Sequence, residues 1–398
     1  MGPMAWLDAR QAAYAAGRDA ATPPIEVPLA AADGTTLAEP LVARTDLPAF
    51  PTSSVDGYAV RGAGPWRVTG RVLAGSDAPD LTSDGTAMEI ATGAMVPRGT
   101  EAIVRVEDSR RDGERITGEP RAQPEWREPG EEASKGEQLL PAGIPVTPGV
   151  IGLAASCGYD SLPVRRRPAA ALLVFGDELL TSGPPGAGRV RDALGPQIPA
   201  WLGRLGAEIS GAAVVGPVRD TLDAHVDAIR SALAGGADLV CTTGGTMHGP
   251  VDHLHPALKD LGAEYIVNAV QVRPGFPMLL ATFPQGQILA GLPGNPQSAV
   301  VALVSLVAPL LAGWTGRPVP QPGTVTLGAA IRGRGNDTHL ALVQMEDGRA
   351  YPLEHVGSSM LRGLATSAGF AVIAPGTTGE PGARVPFVPL PLLEGERC

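Results

Sequence analysis

One short stretch combines an apolar run, a glycine turn and a nearby carboxylate, which together could bind a phosphate and a cation. The run that starts at Leu239 ends in Thr243, Gly244 and Gly245, and Asp252 follows where a new helix can begin. Backbone N–H groups of a glycine-rich turn and of a helix N-terminus bind anions. In an open α/β sheet, ligands bind beyond the carboxyl ends of the strands. The stretch therefore predicts a site for a phosphate-bearing ligand, with a cation beside it.

Residues with related chemistry follow other apolar runs in the central part of the chain. Asp177 and Glu178 follow the first such run, and Asp192 precedes the next helical segment. Further along come Arg273, within Arg-Pro-Gly-Phe-Pro, and the segment Leu-Pro-Gly-Asn-Pro at 292–296. If the sheet is parallel, these loops gather at one edge. Carboxylates beside phosphates usually hold a hard divalent cation, for which Mg²⁺ is the first candidate.

Several other kinds of site are disfavoured by the same residues. The chain has no GxxxxGK[ST] motif and no GxGxxG after the first strand of this part, so a P-loop NTPase or an ordinary dinucleotide enzyme is not expected. His253 and His255 are two residues apart and would point to different sides of a helix, which disfavours zinc. His248 lies beside the glycine turn and is a candidate donor to a phosphate.

The elements that must position these residues follow from the hydrophobic pattern. From Pro168 to about residue 315, apolar runs alternate with helical segments, which predicts a doubly wound, mostly parallel α/β domain. Before it, residues 4–19 predict a helix, and residues 66–140 alternate apolar with polar positions as short strands do. After it, residues 318–398 predict a small all-β domain. The fold class is thus a multidomain α/β plus β protein.

Composition limits the classes of partner. With 398 residues the chain is long enough for two to four domains, and its net charge of −10 argues against a general binder of nucleic acid or of anionic membranes. The three cysteines lie far apart, so no disulfide framework is expected and a cytoplasmic location is predicted. The longest apolar segment, 299–314, contains Pro309 and predicts a buried helix rather than a membrane span.

Taken together and in this order, the motifs resemble those of the MoeA family, the molybdopterin molybdenumtransferases, to which the C-terminal domain of gephyrin is the animal relative. The resemblance covers essentially the whole chain. The matching segments are Ser-Val-Asp-Gly-Tyr-Ala at 54–59, Thr-Gly-Ala at 92–94, Gly-Asp-Glu-Leu at 176–179, Thr-Gly-Gly at 243–245, Asp252, Arg-Pro-Gly at 273–275, Leu-Pro-Gly-Asn-Pro at 292–296 and Gly-Ser-Ser-Met-Leu at 357–361.

The resemblance implies an elongated homodimer of four-domain subunits. Residues 1–45 and 141–167 would form the N-terminal dimerisation domain of helix and strands, and 46–140 an inserted small β domain. Residues 168–316 would form the MogA-like α/β domain that binds molybdopterin, and 317–398 a C-terminal domain resembling a small β-barrel.

The implied activity belongs to molybdenum cofactor biosynthesis. The substrates would be molybdopterin carrying AMP, and molybdate. The enzyme would hydrolyse the adenylate, release AMP and insert molybdate into the dithiolene, with Mg²⁺ as the assisting cation. A molybdopterin adenylyltransferase would be a transient partner.

The resemblance also implies roles for individual residues. Asp56 and Thr92 would act catalytically in the partner subunit's site. Glu178 and Asp252 would act catalytically and hold the metal. The other matched positions would bind substrate: Asp192, Thr243, Gly244, Gly245, Arg273, Pro274, Pro277, Pro293, Gly294, Asn295, Ser298 and Ser359. His248 joins this substrate-binding set because of its place beside the turn, and not through the resemblance.

The sequence departs from the family pattern at the site itself. The family's Lys-Pro-Gly-Lys-Pro reads Arg-Pro-Gly-Phe-Pro here, so Phe276 stands in place of a positive charge. One interpretation is lineage variation, with another group supplying the lost contact. The alternatives are a divergent paralogue that acts on another adenylylated substrate, and a non-catalytic binding scaffold. A molybdopterin adenylyltransferase shares the α/β domain alone, so the flanking β domains disfavour it. A CinA-like nucleotide hydrolase also carries a related domain, but it lacks the Asp-Gly-Tyr-Ala insertion found here at 56–59.

Overall fold

The protein folds into two compact units, described here from a computed structural model of residues 2–209, 213–247, 252–354 and 357–391. The larger unit comprises Met1–Ile25, Gly34–Thr36 and Arg165–Cys398, and the smaller unit comprises Glu26–Asp33 and Leu37–Val164. The four predicted domains do not coincide with these units, and their boundaries stay a prediction.

The larger unit contains the α/β sheet. Its six strands lie in the order Val214–Val218, Ala170–Phe175, Leu239–Thr243, Ile288–Leu292, Leu279–Thr282 and Glu264–Asn268. The first four strands pair in parallel, and Leu279–Thr282 pairs antiparallel with both of its neighbours. The helices are Leu194–Leu205, Leu222–Ala234, Leu254–Asp260 and a long helix over 296–314. The prediction of a mostly parallel α/β sheet is confirmed.

The strand Ala170–Phe175 is buried over its whole length, as its continuous apolar sequence predicts for a central parallel strand. Leu172 and Val174 face one apolar layer, and Leu173 and Phe175 face the other. The sheet is therefore covered on both faces, and the loops beyond its strand ends are the parts left open to a ligand.

Within the α/β domain the apolar runs predict strands over 207–215 and over 265–272, and both differ from the structure. Residues 210–212 of the first lie outside the described residues, and the strand observed there is Val214–Val218, where Pro217 is tolerated because this is an edge strand. The strand predicted over 265–272 is divided at Ala269, whose φ of 80° is unusual for a residue with a side chain. The halves, Glu264–Asn268 and Val270–Arg273, join different sheets.

The second sheet of the larger unit forms the C-terminal β domain. Its strands lie in the order Met4–Ala5, Val270–Arg273, Thr338–Glu346, Arg349–Pro352, Gly323–Leu327, Arg384–Pro389 and Gly369–Ile373, and Thr338–Glu346 pairs again with Gly369–Ile373. That second pairing closes the sheet, so the predicted barrel-like domain is confirmed. A short helix, Arg362–Thr366, precedes the strand Gly369–Ile373.

The N-terminal helix Trp6–Ala20 packs against the long helix of the same unit. At the crossing, a Cβ on Gly17 would overlap the carbonyl oxygen of Leu310, and one on Gly313 would overlap that of Tyr14. The two glycines therefore let the helix backbones touch. Most of the region predicted as the N-terminal dimerisation domain lies in the smaller unit, whereas this helix belongs to the larger unit.

We expect Gly313→Ala to lower the free energy of unfolding by about 2 kcal/mol, because the added methyl must force the two helices apart. Gly203→Ala is the matched control, since Gly203 is also helical and its added Cβ meets no atom within 4 Å. That variant should gain roughly 0.5–1 kcal/mol from the better helix propensity of alanine. Urea denaturation of both variants measures the difference, and equal effects would contradict the close crossing.

The long helix changes from α to π geometry over Leu303–Val307. There the N-terminal helix supplies polar partners: the indole N–H of Trp6 donates to Ser305 Oγ at 2.9 Å, and the guanidinium of Arg10 donates to the carbonyl oxygens of Val304 and Pro320. Burial lowers the pKa of Arg10 to about 10. The buried charge is thus satisfied by carbonyl oxygens.

Within the described residues, the helix Pro296–Trp314 is the one whose length and composition would suit a membrane span, and 94% of it is buried inside the protein. This burial agrees with the predicted buried core helix.

The smaller unit is mainly β. Its six-stranded sheet has the order Ser109–Asp112, Arg115–Gly118, Trp66–Val72, Thr86–Ile90, Gly57–Arg61 and Ala102–Arg105. Two-stranded sheets pair Trp126–Arg127 with Thr52–Ser53 and Gln138–Leu140 with Leu41–Val42. The helix Pro148–Ser156 begins after Thr147, whose hydroxyl accepts from the N–H of Val150. Further short strands are Ile25–Pro28, Thr36–Leu37 and Ser161–Arg165, where the chain passes between units.

Candidate functional site

A cleft of about 1560 Å³ opens in the larger unit, at the carboxyl ends of the central strands and beside the C-terminal β domain. It brings together residues that are far apart in sequence. The predicted site residues that line it are Glu178, Asp192, Thr243, Gly244, Gly245, Asp252, Arg273, Pro274, Pro277, Pro293, Gly294, Asn295, Ser298 and Ser359. His248 lies outside the described residues. The roles of all these residues stay predictions.

The turn Thr243–Thr246, here the glycine turn, strongly favours glycine at its two central positions. Gly244 and Gly245 have φ values of 86° and 69°, in the left-handed region. A Cβ on Gly245 would lie 3.3 Å from the Cβ of Leu254, and one on Gly294 would lie 3.6 Å from the Cα of Gly244. The N–H of Gly244 donates to the carbonyl oxygen of Leu292 at 3.0 Å. The turn is thus fixed against the start of the helix Leu254–Asp260 and against the loop after Leu292, while its open side faces the cleft.

The far end of the glycine turn is held by a histidine that the sequence did not single out for this purpose. Nε2 of His255 lies 3.3 Å from the carbonyl oxygen of Thr246, and Nδ1 lies 2.6 Å from the hydroxyl of Tyr265. Burial raises the pKa of Tyr265. His255 therefore links the turn to the edge strand, which is a structural role and not the metal ligation considered from its spacing.

The carboxylates of the cleft differ in what they already bind. Oδ1 of Asp192 accepts from the N–H groups of Leu194 and Gly195, both at 2.9 Å, so this carboxylate caps the helix that follows. Glu178 is exposed to the cleft, and Asp252 is half-buried. Among the described residues, no three His, Cys, Asp or Glu side chains cluster as a metal site would require. A cation held by Glu178 and Asp252 would need oxygens of the ligand or of water to complete its coordination.

Phe276, which replaces a charged residue of the family motif, carries the guanidinium of Arg273 on its ring. The Cζ atom of Arg273 lies 4.9 Å from the ring centroid, within the range of a cation–π contact. Nε of Arg273 also donates to Oδ2 of Asp337 at 2.8 Å. The loop Arg273–Pro277 is therefore joined to the C-terminal domain, and Phe276 orients the one positive charge that the motif keeps.

The C-terminal domain contributes charges that sequence reasoning missed. Arg332 and Arg334 line the cleft on the loop 332–337, here the arginine loop, together with Asp337 and His339. Nδ1 of His339 lies 2.8 Å from the carbonyl oxygen of Arg332, and the pKa of His339 is lowered by burial and, to a smaller extent, by the charge of Arg334. The signal in the sequence was Arg-Gly-Arg before a turn, in a domain from which only Ser359 was expected at the site.

Asp56 and Thr92 belong to the smaller unit, where they contact each other. Oδ1 of Asp56 accepts from the backbone N–H of Thr92 at 2.8 Å and from its hydroxyl at 3.1 Å. Asp56 lines a small depression of about 230 Å³ together with Tyr58, Arg71 and Glu89. The side chain of Asp56 therefore anchors Thr92.

Family models match the chain in consecutive segments. Residues 7–158 match the MoeA N-terminal region, domains I and II; residues 171–313 match a probable molybdopterin-binding domain; and residues 324–390 match the MoeA C-terminal region, domain IV.

Individual relatives agree with these matches. A molybdopterin molybdenumtransferase of Bacillus subtilis is 30% identical over 366 residues, covering 86% of this chain and 84% of the relative. One from Synechococcus elongatus is 35% identical over 303 residues, covering 72% and 74%. The crystal structure of a molybdopterin biosynthesis MoeA protein from Pyrococcus horikoshii superposes with a TM-score of 0.81 at 24% identity, covering 98% of this chain and 99% of the other. This last likeness concerns the fold.

Proposed function

The chain belongs to the MoeA family of molybdopterin molybdenumtransferases, and from that premise we propose that it inserts molybdate into adenylylated molybdopterin and releases AMP. It is a transferase of molybdenum cofactor biosynthesis. The proposal comprises the adenylylated form of the substrate, the release of AMP and the need for a divalent cation.

The observation that carries the proposal is the meeting of three kinds of group in one cleft. The glycine turn offers backbone donors for phosphates, Glu178 and Asp252 offer carboxylates, and Arg332 and Arg334 offer positive charge for an oxyanion. Hydrolysis of a phosphoanhydride needs its charge neutralised and a water held in line, so positioning and electrostatics supply most of the catalysis. The carboxylates and arginines would neutralise the charge and hold the water, neither of which the glycine turn could do alone.

Mg²⁺ fits the donor set of this cleft, because carboxylate, phosphate and water oxygens are the ligands that it prefers. Glu178 and Asp252 would hold it, and when bound it would neutralise charge on the phosphates. The glycine turn would hold the phosphate oxygens, while Asp192 keeps its helix start fixed.

We further propose a homodimer in which Asp56 and Thr92 reach the site of the partner subunit. The hydrogen bonds between Asp56 and Thr92 support the proposal, because they hold one carboxylate and one hydroxyl together as a pair. A molybdopterin adenylyltransferase as transient donor of the substrate, and a cytoplasmic setting, stay predictions.

The test is AMP release by the full chain. The protein is mixed with adenylylated molybdopterin and Mg²⁺, with molybdate or with sulfate as the control oxyanion, and AMP is quantified over time. We expect release that depends on molybdate. Adenylate that stays bound without release would favour the non-catalytic scaffold, and release that ignores molybdate would favour the divergent paralogue.

Arg334→Ala is expected to raise the molybdate concentration for half-maximal AMP release about tenfold, because one charge-assisted contact is worth roughly 1.5 kcal/mol or more. The matched control is Arg349→Ala, which removes an exposed arginine of the same domain that does not line the cleft. Equal molybdate dependence in the two variants would remove Arg334 from the oxyanion site and leave the loss of charge at Phe276 without compensation.

A further inference from the structure

A histidine that takes no part in the proposed reaction is buried directly beneath the glycine turn. The side chain of His225, on the helix Leu222–Ala234, is fully buried, and neither ring nitrogen has a hydrogen-bond partner among the described residues. Its ring stacks on that of Phe175, with centroids 3.7 Å apart and an interplanar angle of 15°. A buried imidazole whose nitrogens lack partners costs free energy, which indicates a role beyond packing.

The position of His225 connects three loops that carry predicted ligand-binding residues. A Cβ on Gly245 would lie 3.7 Å from Cε1 of His225 and 3.6 Å from the Phe175 ring, so the glycine turn rests on the stacked pair. The ring of His253, next to Asp252, meets the His225 ring edge-on at 5.8 Å.

The third connection runs through Asp220. Nε2 of His225 lies 3.6 Å from Oδ1 of Asp220, which is an ion-pair distance but long for a hydrogen bond. The other oxygen of Asp220 accepts from the backbone N–H of Asp177 at 3.2 Å. Asp220 therefore joins the histidine to the turn that carries Glu178.

We propose that His225 is a positioning residue of this site: it takes up a proton when phosphates occupy the glycine turn, pairs with Asp220, and so fixes the turn of Asp177 and Glu178. The inference rests on the proposed function, because the phosphates are those of the adenylylated substrate. The proton comes from solvent and binds Nε2 of His225, which then donates to Oδ1 of Asp220.

The electrostatics favour this sequence of events. Without ligand, burial lowers the pKa of His225, so the ring is neutral near pH 7. The groups that face it are Asp220 and Asp177, which favour the charged form, and His253, which opposes it. Phosphates bound at the glycine turn would add negative charge and, like Asp220, would favour the charged form of His225. A partly buried pair formed in this way is screened little by salt.

The experiment measures proton uptake by the full chain. The probe is P1,P2-di(adenosine-5′) diphosphate with Mg²⁺, a pyrophosphate diester whose phosphates do not titrate near neutral pH. Isothermal titration at pH 7.5 in two buffers of different ionisation enthalpy gives the number of protons bound with the probe. The variants are His225→Phe, which keeps the ring stack without nitrogens, and Asp220→Asn, which changes a partly exposed residue and leaves the histidine. Asp223→Asn, exposed on the same helix, is the control.

We expect proton uptake and tighter binding at lower pH in the wild type and in Asp223→Asn. His225→Phe and Asp220→Asn should bind the probe about tenfold more weakly, with no uptake and a flat pH profile. Binding without uptake in the wild type, or unchanged uptake in both variants, overturns the role of His225 and leaves the proposed function intact. If the wild type does not bind the probe at all, the anion site and the inference built on it both fail. Asp220→Asn keeps the test decisive should His225→Phe unfold.

Discussion

In a Gly245→Ala variant, kcat/KM for molybdate-dependent AMP release is expected to fall about 100-fold, which corresponds to roughly 2.7 kcal/mol. Gly245 has a φ of 69°, a region that costs a residue with a side chain about 1–2 kcal/mol, and the new Cβ would lie 3.3 Å from that of Leu254. The turn must shift, which would move the N–H groups of Gly245 and Thr246 away from the phosphate position that we propose; the N–H of Gly244 is already bonded to the carbonyl oxygen of Leu292. Losing one or two charge-assisted hydrogen bonds accounts for the expected decrease.

The control for Gly245→Ala is Gly286→Ala. Gly286 has a φ of 88°, its added Cβ meets no atom within 4 Å, and it does not line the cleft. Both variants should lose stability through the same backbone strain, but only the first should lose activity. Initial rates at low substrate concentration and urea denaturation of both proteins separate the two effects. Full activity in Gly245→Ala would show that this turn does not hold the phosphates.

Asp252→Asn is expected to lower kcat for AMP release roughly 10²- to 10³-fold, because the neutral amide can neither hold Mg²⁺ nor orient water as a carboxylate does. The same change should raise the Mg²⁺ concentration needed for half-maximal rate. Glu178→Gln should behave similarly if the two carboxylates share one cation. The measurement is AMP release over a titration of Mg²⁺ at saturating substrate.

Asp260→Asn provides the control for the loss of a carboxylate, since Asp260 is exposed at the C-terminal end of the helix that follows Asp252 and does not line the cleft. Its rate and Mg²⁺ dependence should equal those of the wild type. A normal kcat in Asp252→Asn would remove this residue from the catalytic set. A reduced kcat with an unchanged Mg²⁺ dependence would assign it to the water and not to the cation.

The replacement of a basic residue by Phe276 shows how a motif can be misjudged from its letters. If only charges are counted, the motif at 273–277 has lost one contact to an oxyanion. In the fold, the Phe276 ring supports Arg273, and Arg332 and Arg334 line the same cleft from another domain. No spacing rule links position 276 with position 334, because their proximity depends on how the C-terminal domain packs beside the α/β sheet.

The sequence by itself determined the α/β sheet and most of the cleft. Continuous apolar runs such as Ala170–Phe175 are stable only when buried on both faces, and parallel strands bring their carboxyl ends to one edge. Positions after those strands, including Glu178 and Gly245, therefore had to meet. The glycines at 244 and 245 also predict a left-handed turn, because this conformation disfavours most side chains.

Only the tertiary structure decided which sheet each half of the run 264–273 enters. Its alternation of apolar residues is compatible with either sheet, and no glycine or proline at Ala269 predicts the break there. After the break, Val270–Arg273 pairs with the C-terminal sheet. Arg273 therefore lies beside Asp337, and the arginine loop lies at the cleft. His225 is a similar case, since an isolated histidine on a helix is ordinary until packing places it on Phe175 beneath the glycine turn. Local patterns encode burial and turns, whereas contacts between distant segments depend on the packing of the whole chain.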